Sequence, residues 1–208
     1  MSPVDPWFGK EHLPSSNYEY VVWMDLMGTS AILDWKLIVG SINIGKLQTA
    51  VIESEHANKF NIYPMMDGVY ITSRDDDALG DFVGEIYHRF SHILTNRYRG
   101  YQDSELKYSP ILRTGVAYGE VFHGYDLSDT ELADHEVANS ILIGDAVVEA
   151  HRCEREAPPF GIRVDSSATD EPNPINLEWW PDDSRGDEIL EAYEAYLDFF
   201  EGDQIKSY

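Results

Sequence analysis

The stretch Tyr20-Val21-Val22-Trp23-Met24-Asp25-Leu26-Met27-Gly28-Thr29-Ser30 constrains this chain more than any other. An apolar run with β-branched and aromatic residues reads as a buried strand. It ends on one carboxylate, Asp25, and a Gly-Thr-Ser turn, after which Ala31-Ile32-Leu33 starts a helical pattern. A strand that stops on a carboxylate and breaks into a helix brings three things together. These are a fixed negative group, backbone N–H groups without intrahelical acceptors, and the positive end of a helix dipole. The set suits a metal-bound polyphosphate; the alternative is an aspartate that caps the helix.

Taken in order, residues 1–17 are rich in Pro, Gly and Ser and read as an N-terminal arm, and residues 18–208 as one domain. After the first strand, apolar spacing from Ser30 to about Lys59 predicts two helices or one broken near Gly40 and Gly45. Asn61 to Ser73 predicts a hairpin around Asp67-Gly68, and the acidic run Asp75-Asp76-Asp77 opens a helix from about Ala78 to Arg97. Ile111 to Tyr118 and Gly119 to Gly124 read as two strands joined by a glycine turn, followed by an acidic loop from Tyr125 to Asn139. Ile141-Leu142-Ile143-Gly144-Asp145 leads into a helix stopped by Pro158-Pro159, and Gly161 to Asp165 is a late strand. Asp187 to Phe200 carries the pattern of a terminal amphipathic helix. This order predicts an α+β, ferredoxin-like fold, a mostly antiparallel sheet with helices on one face.

Charge narrows the partners. Fifteen Lys and Arg against 38 Asp and Glu leave a formal charge of −23, which repels nucleic acid and anionic membranes. A nucleoside triphosphate is repelled too, unless metal ions and a local arginine reverse the sign. Cys153 is the sole cysteine, which excludes an intrachain disulfide and fits a reducing cytoplasm. The start of the chain has no signal-peptide pattern, and no apolar run is long enough to span a membrane.

Asp25 and Asp67 lie 42 residues apart in sequence, at the end of the first strand and in the neighbouring hairpin. If those strands pair, the two carboxylates form a hard-oxygen site for divalent ions. The alternatives are a capping Asp25 and an Asp67 that serves a type I′ turn. His123, His135 and His151 lack metal-ligand spacing and read as surface or loop histidines, and Cys153 as a small core residue.

Tyr20 to Ser30, Met66-Asp67-Gly68, Leu112 to Gly119 and Ile143 to Arg152 occur in that order, and together they resemble the catalytic domain of the class III nucleotidyl cyclases. The resemblance covers about Tyr18 to Asp165. It implies that Asp25 and Asp67, helped by the Leu26 carbonyl, hold two Mg²⁺ or Mn²⁺ ions. It also implies that backbone N–H groups around Met27, Gly28, Thr29 and Ser30 hold the terminal phosphates. Arg152 falls at the arginine that stabilises the α-phosphate in the transition state. Such sites are shared between subunits, so a homodimer with two interface sites is implied.

Purine-specific relatives carry a lysine and a polar residue where this chain has Tyr63 and Ile141. The ribose asparagine is replaced by Val148, and Glu120 stands where many relatives have a basic phosphate contact. Tyr63 fills space and offers one phenol, which favours a smaller ring; the alternative for Tyr63 is a partly buried sheet tyrosine. These departures resemble the Pycsar-type pyrimidine cyclases of bacterial antiphage defence. They imply cyclisation of UTP or CTP to a second messenger read by a cyclic-nucleotide-binding effector. A purine cyclase, and a cyclase-like domain that only binds nucleotide or a partner, remain open.

Overall fold

The computed structural model describes residues 13–100, 108–127, 132, 134–177, 191, 192 and 194, and of residues 31, 35 and 97–100 the backbone alone. Most of the arm over 1–17 and of the helix over 187–200 lies outside these residues, as does part of the acidic loop. Glu191, Ala192 and Glu194 are helical, and Ala192 is buried in the larger core.

Seven strands form one sheet: β1 (Asn17–Leu26), β2 (Asn61–Met65), β3 (Gly68–Ser73), β4 (Leu112–His123), β5 (Leu142–Gly144), β6 (Ile162–Val164) and β7 (Ile175–Leu177). Their order is β2-β3-β1-β4-β6-β7, with β5 also pairing β4. Every pairing is antiparallel except β4 with β6. The α-helices with described bounds are α1 (Thr29–Ile52), α2 (Asp76–Gly100) and α3 (Asp145–Glu156). Among the described residues no helix is long and apolar enough to cross a membrane.

The alternation of β1 explains the layers. Val22, Met24 and Leu26 point to one face, where Leu47 and Val51 of α1 and Phe82, Ile86, Tyr87, Phe90 and Leu94 of α2 cover them. Val21 and Trp23 point to the other face, against Ala146 and Ala150 of α3. Burying an aromatic or aliphatic side chain this completely contributes about 1.5–3 kcal/mol, which sets the strand register. Helices therefore cover both faces, not one, and α3 shares its face with the odd-numbered side chains of β1.

Four local expectations are corrected. Gly119 makes no turn: β4 runs unbroken from Leu112 to His123. Asp145 Oδ1 accepts the Glu120 N–H at 2.8 Å, and a Cβ on Gly119 would lie 2.8 Å from that oxygen, so glycine lets the start of α3 approach the strand. In the hairpin, Met65 pairs Gly68, and Met66 with Asp67 forms the turn. Only Met66 of these two takes a positive φ (48°), so the turn is not type I′. α1 continues past Gly40 and Gly45; its break falls at Lys36 (φ −145°, ψ 75°). Finally, His123 is no surface residue but almost wholly buried.

Gly115 sets the height of α3 above the sheet. A Cβ there would lie 1.9 Å from the Ala150 carbonyl oxygen and 2.4 Å from the Glu154 amide nitrogen, main-chain atoms that cannot turn aside. Gly115→Ala is expected to destabilise by about 3 kcal/mol and to lower the thermal midpoint by roughly 6–12 °C. A midpoint within about 2 °C of the native value would show that α3 lifts off β4 freely.

Candidate active site

The end of β1 gathers charge from four directions. Asp25 is the register partner of Gly68 on β3 and of Arg113 on β4. Asp67 precedes Gly68, so the hairpin turn sits beside Asp25, and the two carboxylates interact electrostatically. The Trp23 ring closes over Gly68, where a Cβ would lie 2.3 Å from it, and packs 4.2 Å from the Tyr70 ring. This apolar packing fixes the hairpin against β1. From α3, Glu154 reaches down through the gap over Gly115 and pairs with Arg113 at 2.7 Å.

The Asp25 carboxyl is pushed up to about 7. Burial is the largest cause, followed by the charges of Glu154 and Asp67, against the opposing Arg113 and the Leu26 N–H. Glu154 is also raised, chiefly by burial, with Arg113 working the other way. Asp25 and Glu154 thus lie near one guanidinium, with Asp67 close enough to act on Asp25. Asp25 and Asp67 are hard-oxygen donors in want of positive charge, a chemistry that fits divalent cations.

The raised Asp25 has a consequence for stability. Between roughly pH 4 and 7 the native carboxyl keeps a proton that the unfolded chain releases, so stability falls as pH rises through that window and stays lower above it. With divalent ions chelated, Asp25→Asn is expected to be the more stable protein by about 2–4 kcal/mol at pH 8 and equal to the native one at pH 4. Denaturant unfolding at the two pH values measures this. A gap of the same size at both would mean that Asp25 ionises in the ordinary range.

Beside these carboxylates lies the start of α1. Gly28 holds the left-handed conformation (φ 71°) that turns the chain from strand to helix. The Thr29 hydroxyl donates to the Leu26 carbonyl at 2.8 Å, which locks the turn and leaves that carbonyl a second lone pair. The Met27 N–H donates to the Ile111 carbonyl at 2.9 Å, so Met27 is removed from the expected phosphate-binding amides. The first helical bond runs from Ile32 to Gly28, and the amides of Gly28, Thr29 and Ser30 precede it at the positive end of the helix.

The remaining candidates lie apart from this cluster. Arg152 is exposed on the outer side of α3 and pairs with Glu149 at 2.7 Å; it does not appear among the charges acting on Asp25. Tyr63 is buried on β2, with its hydroxyl 2.6 Å from His123 Nδ1. The Ile141 carbonyl accepts the Gly124 N–H at 2.9 Å, which brings the segment before β5 next to His123 and Tyr125. Tyr63 and Ile141 therefore share one neighbourhood, and Asp25, Asp67 and the α1 start share another.

Sequence reasoning did not single out Arg113, Glu154, Glu19 or Tyr125. Each owes its place to strand register or to α3 docking, which no local pattern reports. A different set, Glu149, Cys153 and Asp165, has ligand atoms within 4.8 Å of one another. Its members are already engaged: Glu149 with Arg152, Asp165 with the Ser167 N–H, and a Cys153 thiol pushed up to about 11 mainly by burial.

No protein-family model matches the chain, and no curated protein matches it in sequence. Solved structures do. The guanylyl cyclase Cya2 aligns over 75% of this chain and 78% of its own, at 19% identity and a TM-score of 0.55. A bacterial light-regulated adenylyl cyclase aligns over 88% of this chain, at 14% identity and a TM-score of 0.60, with 58% of its own length covered. The guanylate cyclase domain of RhGC from Catenaria anguillulae, in complex with GTP, aligns over 73% of this chain and 79% of its own, at 18% identity and a TM-score of 0.51. The seven-stranded sheet with helices packed on it thus has the α+β fold of the adenylyl and guanylyl cyclase catalytic domains.

Proposed function

We propose that this chain is a pyrimidine nucleotide cyclase, which converts UTP or CTP to the 3′,5′-cyclic monophosphate and pyrophosphate. The observation that carries the cyclase reading is that Asp25 pairs in register with Gly68, the residue after Asp67, so that the two carboxylates act on each other near the start of α1. Asp25, Asp67 and the Leu26 carbonyl are the oxygens that would hold two Mg²⁺ or Mn²⁺ ions. Such ions, when bound, neutralise phosphate charge and lower the pKa of an attacking hydroxyl.

The chain's own groups supply the rest. The amides of Gly28, Thr29 and Ser30 and the α1 dipole hold the β- and γ-phosphates, so that the leaving pyrophosphate is already bound as its charge grows. The 3′-hydroxyl attacks the α-phosphorus while the bond to the β-phosphate oxygen breaks. Arg152 of a second copy meets the charge that develops on the equatorial oxygens. Its exposure, and its absence from the charges acting on Asp25 in its own chain, support that assignment to a neighbour. The active form is then a homodimer with two sites. Resemblance to the Pycsar-type cyclases supports a product that acts as a second messenger in antiphage defence, read by a cyclic-nucleotide-binding effector.

Pyrimidine choice rests on Tyr63 and Ile141 in place of a lysine and a polar residue. One observation favours a purine instead: the structural neighbours are named as guanylyl and adenylyl cyclases. Incubation with all four ribonucleoside triphosphates and Mn²⁺, with mass identification of products, separates the readings. Cyclic UMP or cyclic CMP is expected. Cyclic AMP or cyclic GMP alone would overturn the pyrimidine assignment, and nucleotide binding without any cyclic product would overturn the enzymatic one.

A further inference from the structure

α2 carries a grouping of ligand atoms unlike the carboxylates of Asp25 and Asp67. Its apolar residues Phe82, Ile86, Phe90 and Leu94 recur every four positions and face the larger core. His88 and His92 stand on the side turned to solvent, and both are exposed. Residues four apart on a helix lie one above the other on the same face. That spacing brings the two side chains near each other, and their rotamers then converge. His88 Nε2 and His92 Nε2 are 3.1 Å apart, with ring centroids at 4.6 Å and planes crossing at 81°.

The backbone beneath the pair is braced. The Ser91 hydroxyl donates to the His88 carbonyl at 2.7 Å, and the Thr95 hydroxyl to the Ser91 carbonyl at 3.0 Å. Between the histidines, Arg89 pairs with Glu85 at 2.7 Å and donates to the Glu53 carbonyl at 3.2 Å, while the Ser54 hydroxyl donates to Glu85. These bonds tie α2 to the end of α1. They also engage both Glu85 oxygens, so the nitrogens of the histidine pair, with water, make up the donor set.

A neutral imidazole has one N–H and one lone pair. In the pair as it stands, one Nε2 donates to the other. An ion between them needs a lone pair on each Nε2. The donor ring meets this by carrying its proton on Nδ1 instead, with no net change in bound protons. Two imidazole nitrogens, each about 2.0–2.1 Å from one ion and roughly 100° apart at it, are about 3.1 Å from each other. The observed separation matches that bite, so the helix need not move to accept an ion. Imidazole nitrogen suits Ni²⁺, Cu²⁺ and Zn²⁺, whereas carboxylate oxygen suits Mg²⁺ and Mn²⁺.

We propose that His88 and His92 form a bidentate site for one divalent transition-metal ion, Ni²⁺, Cu²⁺ or Zn²⁺, on the outer face of α2. The site is distinct in chemistry from the oxygen site at Asp25 and Asp67, and it holds whether or not the chain cyclises a nucleotide. An ion there joins two successive turns of α2, and the unfolded chain has no such spacing to offer, so binding stabilises the folded state.

The test uses the untagged full chain and the metal ions alone. By calorimetry, the tightest Ni²⁺ event is expected at roughly 10 µM, and roughly 10²-fold weaker in His88→Ala and in His92→Ala, since each variant leaves a single imidazole. Both positions are exposed and helical, where alanine is well tolerated, and a metal-free melt checks that the fold is unchanged. With one equivalent of Cu²⁺, electron paramagnetic resonance should show coupling to two nitrogens in the native chain and to fewer in either variant. Asp67→Ala, which damages the oxygen site, should bind Ni²⁺ as the native chain does. Equal affinity in the native chain and both histidine variants, or a loss confined to one of them, would overturn the site. So would native binding no tighter than about 1 mM, or binding lost in Asp67→Ala and kept in the histidine variants.

Discussion

Asp67→Ala is expected to reduce cyclic-nucleotide formation by about 10³-fold or more, roughly 4 kcal/mol of transition-state stabilisation, while leaving the fold intact. The reason is positional. Asp67 sits in the two-residue turn between β2 and β3 and is not part of either hydrophobic core, so truncating it removes charge without opening a cavity. The neighbouring packing of Trp23 on Gly68 and Tyr70 does not involve its side chain. Initial rates with Mg²⁺ and with Mn²⁺, alongside a thermal melt, measure both halves of the statement. A variant that keeps its melting point and its rate would take Asp67 out of the chemistry.

The second large effect concerns sharing between subunits. Asp25→Asn and Arg152→Ala, each expected to be nearly inactive alone, should recover about a quarter of the native specific activity when refolded together in equal amounts. Half of the dimers formed at random are mixed, and each mixed dimer holds one intact site and one doubly damaged one. Tagged protomers and co-purification establish that mixed dimers are present. Their presence without recovered activity would place Asp25 and Arg152 in the same subunit's site.

Much of the framework was readable because it is local. The run from Tyr20 to Asp25, the glycine turn and the start of α1 are encoded within a dozen neighbouring residues, and so is the pair of strands either side of Asp67. What was missed depends on contacts between distant segments. Gly119 carries the signature of a turn, yet serves as a landing place for Asp145 and Ala146, a role fixed 26 residues later in the chain. Arg113 and Glu154 look like ordinary charges in a strand and a helix; only the close approach over Gly115 turns them into a buried pair beside Asp25. His123 closes a 12-residue strand whose odd-numbered side chains turn toward α3, so it is buried where an isolated histidine suggested solvent. Pairing of Asp25 with the Asp67 turn needed the register of β1 on β3, which the sequence left conditional.

The irregular backbone at Lys36 gives the first helix two mechanical parts. From Thr29 to Trp35 runs a stub of about two turns that bears the open amides, and beyond it a shaft whose Leu47, Ala50 and Val51 are bolted into the larger core. At the joint itself, the Lys36 ammonium rests 4.5 Å from the Tyr108 ring, and Asn43 reaches the Tyr108 carbonyl at 3.1 Å, so the shaft is clamped close to where the ladder of bonds is interrupted. The dihedrals of one residue therefore set the direction of the stub relative to the bolted part. In the proposed site, the amides that would meet a polyphosphate thus sit on a short segment whose direction is set by one joint, apart from the length of helix that is built into the core.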